Sequence, residues 1–167
     1  MPQPSSQPAV RPLDPRVRVG HIHLRVGDIE RSLRFYRDAL GFEVTQRYGR
    51  DAVFLSAGGY HHHIGLNAWE SKGGTAPPPG STGLYHVAFL YPTRAALADA
   101  LRRLAAAGIP LTGAADHGVS EALYLEDPDG NGVELYWDRP ESEWPREADG
   151  TLAMHTRALD LGALLND

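Results

Sequence analysis

"GHIHLRVGDIERSLRFYRDALGF", residues 20–42, and "GLYHVAFLYPTRAALADALRRLAAAGI", residues 83–109, are two versions of one pattern. In the first, Ile22, Leu24 and Val26 alternate with His21, His23 and Arg25, the period of a half-buried strand. Asp28 then stands as an N-cap, Ile29, Leu33, Tyr36 and Leu40 fall at helical spacing, and Gly41 ends the helix. In the second, His86, Ala88 and Leu90 share a strand face, and Thr93 and Gly108 bound the helix. Three short strands are predicted after each helix: around 43–47, 52–55 and 61–69 in the first half, and near Leu111, over 122–125 and over 133–137 in the second. The last of these follows the turn "DPDGNG". Each half therefore reads β-α-β-β-β, and the predicted class is α+β with two such modules.

The Gly/Pro-rich stretch "SKGGTAPPPGSTG", residues 71–83, separates module one (18–70) from module two (84–138). Residues 1–17 read as a flexible N-terminal arm, and residues 139–167 as a tail with a helix over "MHTRALDLGALLN". At 167 residues, 42% hydrophobic and 22% charged, the chain is long enough to bury a core and short enough to be one unit. The net charge of −5, with no basic run, argues against nucleic acid as a partner. No apolar segment has the length of a membrane span, and no signal core opens the chain, so a cytoplasmic protein is expected. Because there is no cysteine, any metal must sit on nitrogen and oxygen.

Superposing the halves pairs His21 with His86 at the start of each first strand, and Gly65 with Glu134 in each last strand. Two imidazoles and one carboxylate on separate strands form the facial set favoured by non-haem Fe(II) oxygenases, with the opposite positions open. His21, His86 and Glu134 are thus the candidate metal ligands, for Fe(II) or Mn(II), and Gly65 is the missing fourth. With about +1 of charge on a divalent ion, the open face suits an anionic catecholate together with O2. The bland alternative is two hydrogen-bonded histidines and a surface glutamate.

The run "GGYHHHIGLNAW", residues 58–69, sets three histidines just before Gly65. If the strand begins at residue 61, His61 and His63 share the Gly65 face and His62 points outward. A histidine beside an open metal site suits proton transfer, and His63 is favoured over His61, which then lines the pocket mouth. A solvated strand end is the competing reading. Tyr124, in a hairpin with Glu134, offers a phenol to the open face, or is a core tyrosine with a satisfied hydroxyl. His117 lies in a loop seven residues earlier, with or without a role. His23 is assigned to packing or pocket lining.

The two halves, with "GLYHVAF" and "LYLEDPDGNGVELYWDRP", resemble the vicinal oxygen chelate superfamily, also called the glyoxalase, bleomycin resistance and dioxygenase superfamily, over residues 18–138. Within it, "GGYHHHIGLNAW" and "DHGVSEALYLEDPDGNGVE" are most similar to type I extradiol dioxygenases of the catechol 2,3-dioxygenase type. The resemblance implies an incomplete mixed β-barrel around Fe(II) on His21, His86 and Glu134. It also implies His63 as acid-base catalyst, a hydrogen-bonding Tyr124, and His117 where the family's extradiol signature begins. The implied reaction cleaves a catechol next to its two hydroxyls, with both atoms of O2 entering the product. The partners implied are a small aromatic diol, O2 and a second copy in a homodimer, with no membrane. Other superfamily activities compete: a lactoylglutathione lyase has a carboxylate where this chain has Gly65, a fosfomycin-type transferase shares the triad, an epimerase needs a further carboxylate base, and a drug-binding resistance protein needs no metal.

Overall fold

In the computed structural model, which describes residues 11–167, β1 (Ile22–Arg25) begins with the predicted alternation: Leu24 and Val26 are buried, His23 and Arg25 exposed. The Asp28 carboxylate accepts from the Arg31 amide at 2.7 Å and starts α1 (Ile29–Leu33). That helix continues as a wider π-helical turn over Arg34–Ala39, closed by the Leu40 amide donating to the Phe35 carbonyl at 3.0 Å. The wider turn buries Phe35, Tyr36 and Ala39 together. Gly41, with φ +89°, then turns the chain. The strands β2 (Glu43–Tyr48), β3 (Ala52–Ser56) and β4 (Ile64–Asn67) complete module one, in the order β1-β4-β3-β2 with β1 and β4 parallel.

Module two repeats this. β5 (Val87–Leu90) leads to α2 (Arg94–Ala106), capped by the Thr93 hydroxyl, which accepts from the Ala96 amide. β6 (Gly113–Asp116), β7 (Ser120–Glu126) and β8 (Gly132–Asp138) follow in the order β5-β8-β7-β6. The registers coincide: Ile22 pairs with Ile64 in one module, and Val87 with Val133 in the other. His21 and His86 are therefore equivalent positions, as are Gly65 and Glu134. Phe54, opposite Gly65, is the counterpart of Tyr124, opposite Glu134.

One apolar core serves both modules, with Leu33 and Tyr36 from the first and Leu97, Leu101 and Leu104 from the second. Phe42 and Phe89 meet across the junction with ring centres 5.1 Å apart. The turn "DPDGNG" also docks on module one. The Tyr36 hydroxyl donates to buried Asp127 at 2.9 Å, the Gly27 amide donates to Asp129, and Arg31 pairs with Asp129. Among the described residues the two sheets stay separate and no closed barrel forms: β1 and β5 each have a single partner strand.

Several boundaries differ from the sequence reading. β4 starts at Ile64 rather than 61, because residues 61–63 lie in a bend. The strand expected near Leu111 runs over Gly113–Asp116. The tail helix is only α3 (Leu161–Leu165), capped by Asp160. Before it, β9 (Arg157–Ala158) pairs with the exposed edge of β6, and that unsatisfied edge outcompetes helix formation. Of the arm, residues 1–10 lie outside the described residues, and 11–17 are exposed with no helix or strand. Among the described residues, no helix is long and apolar enough to cross a membrane.

Candidate functional site

The sheet of module two carries a continuous run of polar contacts. Gly132 begins it by allowing the β8 backbone to approach the segment that carries His86: a Cβ there would overlap the Tyr85 carbonyl and lie 3.1 Å from the His86 Cβ. With the backbones this close, His86 Nε2 comes within 3.0 Å of Glu134 Oε2. The other oxygen, Glu134 Oε1, lies 3.0 Å from the Tyr124 hydroxyl on the neighbouring strand. Tyr124 is 2.7 Å from His117 Nε2, and His117 Nδ1 is 3.2 Å from both the His155 carbonyl and the Thr156 hydroxyl. These groups adjoin a cavity of about 550 Å3, lined in part by Tyr85, His86, His117, Tyr124 and Thr156. Burial first, then the charge and hydrogen bond of Glu134, push the Tyr124 phenol up to about 12.

Module one carries the imidazoles. The His21 ring centre is 4.4 Å from that of His62, which in turn lies 5.0 Å from Phe54. His62 therefore lies against His21, on the Gly65 side, and the expectation that it points outward is corrected: the bend at 61–63 breaks the strand period on which it rested. His63 lies opposite the end of β3, with Nδ1 3.1 Å from the Ser56 hydroxyl. His61 is exposed, 2.8 Å from His62 through their Nδ1 atoms, and its carbonyl accepts from Thr45. His23 packs its ring between Phe54 and Trp69 and occupies the space where a Gly65 side chain would stand. Burial, then the neighbouring imidazoles, lowers the His62 pKa.

The structure thus brings His86, Glu134, Tyr124 and His117 together, and sets His21, His61, His62 and His63 together on the other module. It does not unite the two groups. Among the described residues, no three His, Asp or Glu side chains are grouped so as to hold a metal ion. Two of the three candidate donors, His86 Nε2 and Glu134 Oε2, converge as an N,O pair suited to a divalent cation, while His21 stands apart. Sequence reasoning missed the tail: β9 is two residues long, and no periodicity marks Thr156 as a neighbour of His117.

The paired βαβββ sheets and the His86–Glu134 contact define a class. Residues 18–135 match the Glyoxalase/Bleomycin resistance protein/Dioxygenase superfamily, and the chain belongs to that family. Its relatives include a catechol-2,3-dioxygenase from Bacillus subtilis, 43% identical over 150 residues, covering 89% of this chain and 51% of that protein. A biphenyl-2,3-diol 1,2-dioxygenase 3 from Rhodococcus globerulus is 35% identical over 122 residues, 72% of this chain and 63% of that protein. The chain thus spans between half and two-thirds of the length of these curated relatives. The crystal structure of a lactoylglutathione lyase from Agrobacterium tumefaciens superposes with a TM-score of 0.57 at 26% identity, covering 74% of this chain and 96% of that one.

Proposed function

We propose that this protein is a metal-dependent extradiol dioxygenase that cleaves a catechol-type aromatic ring with O2, its site completed where two copies of the chain meet. The observation that carries the reading is the unbroken run His117–Tyr124–Glu134–His86, with contacts of 2.7, 3.0 and 3.0 Å. It joins a carboxylate and an imidazole fit to hold a cation to a phenol that can donate a hydrogen bond and to the histidine beside it. The similarity to the two ring-diol dioxygenases supports the same reading, and Gly65, which offers no carboxylate, argues against the lyase chemistry of the Agrobacterium relative.

In this reading His86 and Glu134 would hold Fe(II), or Mn(II), and His21 of a second copy would supply the third donor. The metal would supply Lewis-acid and redox chemistry toward a catecholate and O2. The protein handles the protons. Tyr124 stays protonated at neutral pH, with its phenol pushed up to about 12, and is a hydrogen-bond donor beside Glu134. His63 of that second copy, or its His61 as the alternate, takes a proton from the diol and returns it to the ring-opened product, and His117 orients Tyr124. Both atoms of O2 enter that product, so no external reductant is consumed.

A second copy suits the exposed surface. Among the described residues β1 and β5 each leave one edge unpaired, and Val17, Val19, Leu84, Tyr85 and Leu90 beside them expose large apolar groups, Tyr85 by 90%. The test is oxygen uptake by protein loaded anaerobically with Fe(II), on a panel of substituted catechols, with His86→Ala as the control. Uptake with a yellow ring-cleavage product, lost in the variant, is the expected result. Tight metal binding without uptake overturns it in favour of lyase or transferase chemistry on the same ligands. Failure to bind metal overturns it in favour of a drug-binding protein.

A further inference from the structure

We infer that the C-terminal tail is a positioning element for the module-two site: the His155 carbonyl and the Thr156 hydroxyl fix which nitrogen of His117 carries the proton. The inference deepens the dioxygenase reading and rests on it for its kinetic consequence, but not for its structural one.

The geometry leaves little freedom. Both tail oxygens lie 3.2 Å from His117 Nδ1. A carbonyl only accepts, so Nδ1 must bear the hydrogen. A neutral ring then presents its Nε2 lone pair to the Tyr124 hydroxyl at 2.7 Å. Free histidine prefers the opposite tautomer, with the proton on Nε2, which would donate to the Tyr124 oxygen and leave Glu134 as the acceptor of the Tyr124 proton. The tail therefore decides whether the Tyr124 proton has one acceptor or two, a control exercised through an outer partner of the kind that orients metal-site histidines.

The tail is held in place to do this. β9 pairs with β6 at Ala115 and Asp116, and the His155 amide donates to the His117 carbonyl at 3.2 Å. Gly118, at φ +77°, makes room: a Cβ there would lie 2.7 Å from the His155 ring. Beyond β9, Leu164 is fully buried, Arg102 donates to the Leu165 carbonyl, and Arg94 pairs with both Asp167 and Glu121, so α3 is pinned to α2.

The experiment is long-range 1H–15N NMR of the His117 ring in the full, metal-free chain, for wild type, Thr156→Val and Thr156→Ser. Wild type and Thr156→Ser are expected in the Nδ1–H form. Thr156→Val, which loses one of the two acceptors without losing shape, is expected to shift the tautomer ratio about fivefold toward Nε2–H, the value of one hydrogen bond. A wild-type ring in the Nε2–H form overturns the inference, as does an equal ratio in wild type and Thr156→Val. With an active substrate in hand, Thr156→Val lowers kcat at unchanged KM and Thr156→Ser restores it. A purely structural contact would instead lower stability and leave the ring tautomer alone. Because the NMR readout needs neither metal nor substrate, a failure of the dioxygenase reading leaves it intact and separately interpretable.

Discussion

Tyr124 has one hydroxyl proton and two neighbours able to accept it, His117 and Glu134. Glu134 opposes formation of the phenolate by its charge and as a hydrogen-bond acceptor, and burial adds the larger share. Glu134→Gln should therefore bring the Tyr124 pKa down from about 12 while leaving it above 10, as read by ultraviolet titration of the metal-free protein. His62 makes the opposite case. Burial and the surrounding imidazoles penalise its cation, so its folded-state pKa lies below the ordinary 6.5. Above pH 6.5 the ring is neutral folded and unfolded and contributes nothing to the pH dependence. As pH falls through 6.5 toward the folded value, the unfolded chain takes up the proton first and the fold loses stability. An NMR titration of His62 should give a midpoint below 6.5, and His62→Gln should lose less thermal stability between pH 7 and 5 than wild type. At this scale the equivalence of His21 with His86 and of Gly65 with Glu134 was legible from the repeat, whereas Tyr124 was suggested by a hairpin and His117 by the family resemblance. The direction of His62 was not, because a bend has no period.

Among the elements, the turn between β7 and β8 is more than a connection. Asp127 is buried and accepts from the Tyr36 hydroxyl, the Asp129 and Asn131 amides and the Asn131 side chain. Asp127→Ala leaves those donors unpaired and should cost about 3 kcal/mol, whereas Tyr36→Phe removes one bond to a charged acceptor and should cost about 2 kcal/mol, both read as midpoint shifts in urea. Gly132→Ala forces apart the backbones that place His86 beside Glu134. It should cost about 3 kcal/mol and abolish metal uptake, measured by thermal unfolding and by metal content after loading. Caps and terminators made the two long helical segments readable, since Asp28, Gly41, Thr93 and Gly108 act on adjacent backbone. The tail was misread for the converse reason: residues 154–166 have helical spacing, but a free edge on β6 lies in reach of Arg157 and Ala158.

For the whole molecule, the separation of His21 from His86 and Glu134 makes a specific demand. If each site takes His21 from one copy and His86 with Glu134 from the other, inactive His21→Ala and inactive Glu134→Ala chains should complement when unfolded together and refolded. Half of the dimers are then mixed, and each mixed dimer has one intact site, so about a quarter of wild-type activity should return. No recovery on mixing, with the dimer present by sedimentation, would place each site within one chain. The sequence by itself determined what depends on near neighbours along the chain: two βαβββ modules, their helix boundaries, and the equivalence of His21 with His86 and of Gly65 with Glu134. Only the tertiary structure decided which of those residues meet. Contact between His86 and Glu134, the turn of His62 onto His21, the reach of Thr156 to His117 and the isolation of His21 all arise from the packing of elements distant in the chain, and that packing is set by the shared core and by open strand edges that carry no local signature.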